Sequence, residues 1–471
     1  MVTLAAIDQV IIAVYFASVL AIGFLTAKPL TGSDPADFLL AGRSLTTPVF
    51  VMTLVSTWYG GILGVGEYSY LYGISNWIVQ GLPYYIFAMV FALLLAEKIR
   101  NTNFATIPDK LHHSYDRKTA LLGALLTFLL MTPAPYILML GLLLQLITGW
   151  SLLTCLLLGT AATTAYLFLG GFRSDVNTDV FEFFLMFAGF GVILPFAVEK
   201  FGGWEFVREH VPSLHLTLSG GNSIQFVVVW FFIALWTLVD PSFHQRCYAA
   251  KSGRVARNGI LFSIPFWFVF DGITATAGLY ARAVVPNLTQ PVMAYPLLAE
   301  ATLPPVAKGI FYVGMLATIM STLNTLAFVS ATTLGRDIVW RMREKGSPRN
   351  ETSLTRWGLI VVGGLSILLA LVIPSVVKLW YTIGTVIIPG LLVPLVTSYF
   401  ERLRVAARYA FAAMLGGWLT ALLWLLSGWT QQLGSSEFYP LGIEPMYPGL
   451  GVSLVVWLAG MGDIRRRKGP L

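Results

Sequence analysis

The stretch Gly314 to Thr325 reads GMLATIMSTLNT and lies in an apolar run from about Gly309 to Val329. Ser321, Thr322 and Thr325 lie three, four and seven residues after Thr318, which gathers most of these side chains on one helix face. Hydroxyl oxygens are hard, neutral ligands. With main-chain carbonyls freed elsewhere they can replace the hydration shell of Na⁺. Ser and Thr also let membrane helices pack closely, or bond back to their own backbone. The spacing alone fits both readings.

A second segment offers the carbonyls. Ser56 to Tyr68 reads STWYGGILGVGEY, and each glycine weakens a helix by roughly 1 kcal/mol relative to Ala. An unwound segment at membrane depth is tolerated where its carbonyls line a cavity, and close packing through small residues is the other reading. Polar groups at that depth are costly and face a cavity or a partner. Asp179, in NTDVFEFF, suits a helix N-terminus together with Thr178, or a cation; Glu182 follows one turn later. Asp240 stands before Pro241 and reads as a helix end, whereas Asp271 lies deep within FWFVFDGITATAG. Gln80 can face a cavity or the interface, and Pro389-Gly390 reads as a kink or a hinge.

These residues need helices to position them, and the composition supplies those. Of 471 residues, 56% are hydrophobic and 11% charged, against roughly a quarter charged in a soluble domain. Mean hydropathy is +0.75. The class is an all-α polytopic membrane protein. Runs of about 20 apolar residues fall near 8–27, 47–73, 77–97, 119–148, 152–170, 179–198 and 224–240. Further runs fall near 258–282, 306–332, 355–374, 376–398, 408–428 and 445–461, which makes about thirteen spans. The run from Asp8 has no preceding Lys or Arg and is too long for a cleaved signal, so it reads as a retained helix.

Every second loop is basic. One set carries Lys28 and Arg43, then Lys98, Arg100, Lys110, Arg117 and Lys118, then Arg173, then Arg246, Lys251, Arg254 and Arg257. It continues through Arg336 to Arg356, then Arg402 to Arg408, and ends at Arg465 to Lys468. The other set carries Lys200, Arg208 and Arg282 and little else. Basic loops face the cytoplasm, so the N-terminus is expected outside and the C-terminus inside a cell membrane, a bacterial inner membrane by inference. The charge of +7 is therefore a property of loops, and no basic stretch interleaved with aromatics points to nucleic acid. Cys155 and Cys247 form neither a disulfide framework nor a metal spacing. No phosphate-binding loop suggests a nucleotide-driven pump, and no chemistry of an enzyme is legible.

Three segments, in this order, resemble the sodium–solute symporter family. GGFRSDVNTDVFEF (170–183) is similar to its Gly-Gly…Thr-Asp segment, HQRCYAAKS (244–252) to its Gln-Arg…Ala-Ala-Lys-Ser loop, and ATIMSTLNT (317–325) to its Ala-x-x-Ser-Ser pattern. The resemblance implies the inverted-repeat leucine-transporter fold, with a midplane site between broken helices. It implies a leading segment 1–46, repeats 47–198 and 224–398, an extracellular loop 199–223, and a trailing pair of helices with a basic tail, 399–471. The core is then a 5+5 repeat, with one helix before it and two after.

Carried over by position, the carbonyls of Val55, Trp58 and Thr318 and the hydroxyls of Ser321 and Thr322 would hold a coupling Na⁺. Asp179, Asn324 and Thr325, sharing Ser321, would hold a second Na⁺ as in some members. Thr57, Tyr59, Ile62, Gln80, Trp236 and Thr237 would surround a small organic solute. Thr57 stands where proline-type members have Asp, and Trp267 where sugar-type members have Lys. Few charges among aromatics suit a neutral or zwitterionic solute, sugar-like or amino-acid-like. The expected partners are that solute and membrane lipid, and the expected activity is Na⁺-coupled symport by alternating access. A proton-coupled carrier of the same fold, a transporter-like sensor and a passive channel are the rivals. Continuous polar stripes would mark a channel, and the polar residues here cluster.

Overall fold

The computed structural model describes residues 2–27, 35–342, 349–373, 376–428 and 439–468. Among these residues every regular element is a helix, apart from one isolated bridge between Leu45 and Ala250. Eleven helices there are long and apolar enough to cross a membrane, and a bent pair makes twelve. The expected thirteen is not the number of separate helices seen. The runs 152–170 and 179–198 fall in the stretch Leu152–Phe201, which counts as one of the eleven although two helices meet in it at a kink, Gly171 (φ 58°, ψ −143°). Gly171 adopts the positive φ that glycine tolerates best.

The helices that position the site are α1 (Ala6–Leu25), α2 (Thr47–Trp58), α3 (Ile62–Tyr72) and α4 (Leu152–Phe201). They continue as α5 (Ile224–Ile233), α6 (Trp236–Val239), α7 (Pro241–Ala249), α8 (Gly253–Val284), α9 (Ala307–Thr332) and α10 (Val376–Ser398). The helix α9 is buried on all sides along nearly its whole length, as expected of a central helix. It packs on α1, α2 and α4. A Cβ on Gly189 of α4 would lie 2.5 Å from Gly314 Cα, so small residues let these two helices touch along their backbones.

Loops gather at the two ends as the alternation of charge predicts. At the basic end, Arg43 donates to the Asn103 carbonyl (2.7 Å), Arg173 pairs with Asp37 (2.7 Å), and Tyr115 donates to the Pro394 carbonyl (3.0 Å). Arg336 and Arg341 hold Asp109 at 3.0 and 2.6 Å. Burial raises the Asp109 pKa, but the two guanidiniums outweigh it and bring it to about 2. At the other end Lys200 donates to the Ala301 carbonyl and Tyr280 to the Gly202 carbonyl, both at 2.7 Å. Of the basic residues in the sequence reading, Lys28, Arg343 and Lys345 lie outside the described residues. Arg246 breaks the pattern: it is not in a loop but fully buried in α7. Cys155 and Cys247 are free and buried within helices.

Candidate ion and solute site

The glycine-rich segment contains a true break. The helix α2 ends at Trp58, α3 begins at Ile62, and the two are bent by 58°. Such an end leaves the carbonyls of residues 55–58 without partners along the helix. The break faces α9: the Thr322 hydroxyl donates to the Thr57 carbonyl at 2.5 Å. Gly60 makes that approach feasible, since a Cβ there would lie 2.2 Å from Thr322 Cβ and Oγ1. Past the break the glycines serve packing, with Gly61 and Gly64 against Trp380 and Gly66 against Tyr295. Both readings of the segment therefore hold, each for its own residues.

The hydroxyls of α9 direct their protons into the protein. Thr318 donates to the Gly314 carbonyl (2.6 Å), Ser321 to Asp179 Oδ1 (2.6 Å), and Thr322 to the Thr57 carbonyl. A hydroxyl that has spent its proton on a protein acceptor keeps oxygen lone pairs for a cation. Val55, Thr318, Ser321 and Thr322 are buried, and Trp58 is partly buried. The donor set is neutral, hard and desolvated, which fits Na⁺.

One turn further along α9 the surroundings change. Asp179 is not a helix cap, because it lies well inside α4 and past Gly171. Its Oδ2 pairs with Arg246 Nη2 at 2.9 Å, and both side chains are fully buried. The same guanidinium nitrogen lies 2.5 Å from Thr57 Oγ1 and 3.1 Å from Thr325 Oγ1, and Nε lies 3.2 Å from Thr53 Oγ1. Thr325 donates to Asp175 Oδ2 at 2.8 Å. Asn324 is buried on the same turn of α9. Of the group expected to hold a second Na⁺, Asp179, Ser321 and Thr325 are thus brought together, with the Arg246 guanidinium already at the carboxylate. The residues do not fit a second Na⁺ in this arrangement. Sequence reasoning missed both Arg246 and Asp175. The available signal was two carboxylates one turn apart between two apolar runs, which call for a cation if the fold buries them.

A cavity of about 130 Å³ opens beside the break. Thr57, Tyr59, Gln80 and Trp236 line it as expected, together with Trp58, Tyr84, Tyr136, Trp230 and Trp380. Ile62 and Thr237 are fully buried but do not line it. The Thr57 hydroxyl is shared with the Arg246 cluster, so this residue forms the wall between the cluster and the cavity. Trp58 packs edge-on against Tyr84 and Phe243 and tilted against Trp267, at 4.9, 5.6 and 5.6 Å between ring centres. Asp240 and Asp271 also line the cavity. Asp240 is the helix cap that its sequence context predicts, accepting from Ser242 N at 2.7 Å. Asp271 accepts from the Tyr85 hydroxyl.

The second broken membrane-crossing segment is 224–249, where α5, α6 and α7 are separated at Ala234-Leu235 and at Asp240. Two interrupted helices around one polar centre define a membrane carrier of the broken-helix class. The family model for the sodium:solute symporter family matches residues 38–417, and the chain belongs to that family. It is 28% identical to the sodium/pantothenate symporter of Escherichia coli, over 92% of this chain and 91% of that one. It is 25% identical to the osmoregulated proline transporter OpuE of Bacillus subtilis, over 94% and 93%. With the high-affinity choline transporter 1 of Drosophila melanogaster it shares 27% identity over 78% of this chain and 63% of the relative. In fold it resembles a Na⁺-coupled sialic acid symporter in a substrate-bound outward-open state. The TM-score is 0.79 at 15% identity, over 98% of this chain and 97% of that one. It also resembles the transporter MhsT in complex with L-phenylalanine (TM-score 0.54, 15% identity, 88% and 98% covered). The family supports sodium-coupled symport of a small organic solute in a membrane, with Na⁺ as the coupling ion, and the protein is a transporter rather than an enzyme.

Proposed function

We propose that this chain imports a small neutral or zwitterionic organic solute, sugar-like or amino-acid-like, together with Na⁺ by alternating access. The observation that carries the reading is the open carbonyl turn 55–58 held against the hydroxyl face of Thr318, Ser321 and Thr322. Val55, Trp58 and Thr318 supply carbonyls to Na⁺, and Ser321 and Thr322 supply hydroxyls. Bound Na⁺ fastens α2 to α9. Thr57, Trp58, Tyr59 and Thr322 also line the solute cavity, so fastening this junction completes a wall that the solute touches. That shared wall is the coupling between the two binding sites, and it acts in both directions. One Na⁺ moves per solute, because Arg246 stands at the carboxylate that a second ion would need.

The rocking core is two five-helix repeats, 47–198 and 224–398, flanked by 1–46 and 399–471, with 199–223 as an external loop. The basic end faces the cytoplasm and the N-terminus is outside. Apolar side chains such as Phe262, Phe268 and Leu423 stay exposed on the outer helices, as lipid contact requires. The solutes named for the relatives, pantothenate, proline and choline, differ in charge, so none transfers to this chain by relationship alone. Uptake by proteoliposomes tests the reading. An inward Na⁺ gradient should drive accumulation of a solute that binds, and an inside-negative potential should increase it, at roughly 2.3 kcal/mol per charge per 100 mV. Uptake driven by a proton gradient without Na⁺, or binding without flux, would overturn it.

A further inference from the structure

We infer that the cavity takes a solute bearing a positively charged nitrogen, an organic ammonium with an oxygen acceptor a few atoms away. The inference rests on the symporter reading above and redefines its cargo by the ammonium group, so that a cation is admitted beside a zwitterion and a solute without a charged nitrogen is not. Two carboxylates, Asp240 and Asp271, line the cavity, and among the described residues no Lys, Arg or His does. Arg246 is paired with Asp179 behind the Thr57 wall and its charge reaches Asp240, which Ser242 also caps, whereas Asp271 is held by the Tyr85 hydroxyl. A carboxylate at membrane depth is costly without a cation. The remaining walls are rings, among them Trp58, Tyr84, Tyr136, Trp236 and Trp380, and aromatic faces attract an ammonium group, most strongly where water is excluded. Room for the Asp271 carboxylate is left by Gly81, where a Cβ would lie 2.9 Å from Asp271 Oδ2.

A separate observation points to the other end of the solute. Trp230 is 3% exposed and lines the cavity, and its indole N–H has no hydrogen-bond partner among the described residues. The Gln80 amide nitrogen, also on the lining, is likewise buried and unpartnered. Buried donors of this kind require an acceptor, which a solute hydroxyl or carboxylate oxygen supplies. The lining therefore pairs an anionic, aromatic region with neutral N–H donors. It suits an amino acid, a betaine or an amino alcohol, and it disfavours a solute whose only charge is negative.

The test is the thermal shift of the purified wild-type protein in Na⁺. The probes are choline, glycine betaine, L-proline, pantothenate, D-glucose and 3,3-dimethylbutan-1-ol, the uncharged carbon isostere of choline. At least one ammonium probe should add a shift that depends on Na⁺. If it is choline, its isostere should bind at least tenfold more weakly. Choline binding identifies a cation and betaine or proline binding a zwitterion, and either supports the inference. Asp271→Asn should weaken the ammonium probe at least tenfold and keep the shift that Na⁺ gives alone. Should that variant fail to fold, the comparison among probes on the wild-type protein still decides. Binding of pantothenate or glucose with none of the ammonium probes, or equal binding of choline and its isostere, would overturn the inference and leave Na⁺ coupling standing. A missing Na⁺ shift without any solute would instead count against the symporter reading.

Discussion

Two adjacent turns of one helix, α9, meet different surroundings. Thr318, Ser321 and Thr322 face a broken helix end with open carbonyls, whereas Thr325 and Ser321's other neighbour, Asp179, face a guanidinium supplied by the chain itself. The residue types are nearly the same, and the partners decide what they can do. Neutral dipoles around a break leave room for a cation that comes and goes. Asp179, in contrast, is paired with a cation built into the fold, and removing either partner would leave the other charge buried and unpaired, which costs several kcal/mol. A helix carrying a ladder of hydroxyls can thus hold a mobile ion on one turn and a fixed one on the next.

The fixed turn can be broken most severely. Asp179→Ala leaves Arg246 buried without its carboxylate and should destabilise the protein by about 3–5 kcal/mol, read by chemical denaturation in detergent. The double variant Asp179→Leu with Arg246→Met should recover most of that loss, as expected for a coupled pair. A double variant as unstable as the sum of the singles would show that the two groups act separately. On the mobile turn, Gly60→Ala drives a methyl group to 2.2 Å from Thr322. It should separate α2 from α9 and weaken the response to Na⁺ about tenfold, roughly 1.4 kcal/mol, measured by titrating Na⁺ against solute uptake. The two turns together predict a stoichiometry of one: the ratio of ²²Na⁺ to solute flux should be one, and a ratio of two would mean that Arg246 moves aside during the cycle. The smallest effect is expected at Gly191 of α4, where a Cβ meets nothing within 4 Å. Gly191→Ala should leave Na⁺ response unchanged and add a few tenths to about 1 kcal/mol of stability.

The same contrast explains what was legible in the sequence. Apolar runs and alternating loop charge locate nearly every helix, because length and hydropathy are local properties. At Gly171 a single positive-φ residue marks the kink between two helices, at the place where one apolar run ends and before the next begins. The break and the hydroxyl face were legible too, since glycines mark the one and helical spacing the other, while their reading as an ion site came from the family resemblance and not from the spacing. The fixed turn was hidden by its cation. Arg246 lies 67 residues from Asp179 along the chain, and counting basic residues by loop assigned it to the surface. Ile62 and Thr237 were placed at the cavity by position, yet a helix turns its side chains away from a cavity as readily as toward it. Asp271 was singled out for its depth, and it does line the cavity.

The measurement that bears most directly on the central claim is the melting temperature of the wild-type protein and of Thr322→Ala, each in Na⁺ and in K⁺ at equal ionic strength. Loss of one hydroxyl ligand should weaken Na⁺ binding by about 1.5–3 kcal/mol, tenfold or more. The wild-type protein should therefore melt higher in Na⁺ than in K⁺, and Thr322→Ala, equally well folded in K⁺, should lose most of that difference at the same Na⁺ concentration. An undiminished Na⁺ shift in the variant, or equal melting of the wild-type protein in both salts, would mean that the hydroxyl face of α9 packs helices and does not bind the ion.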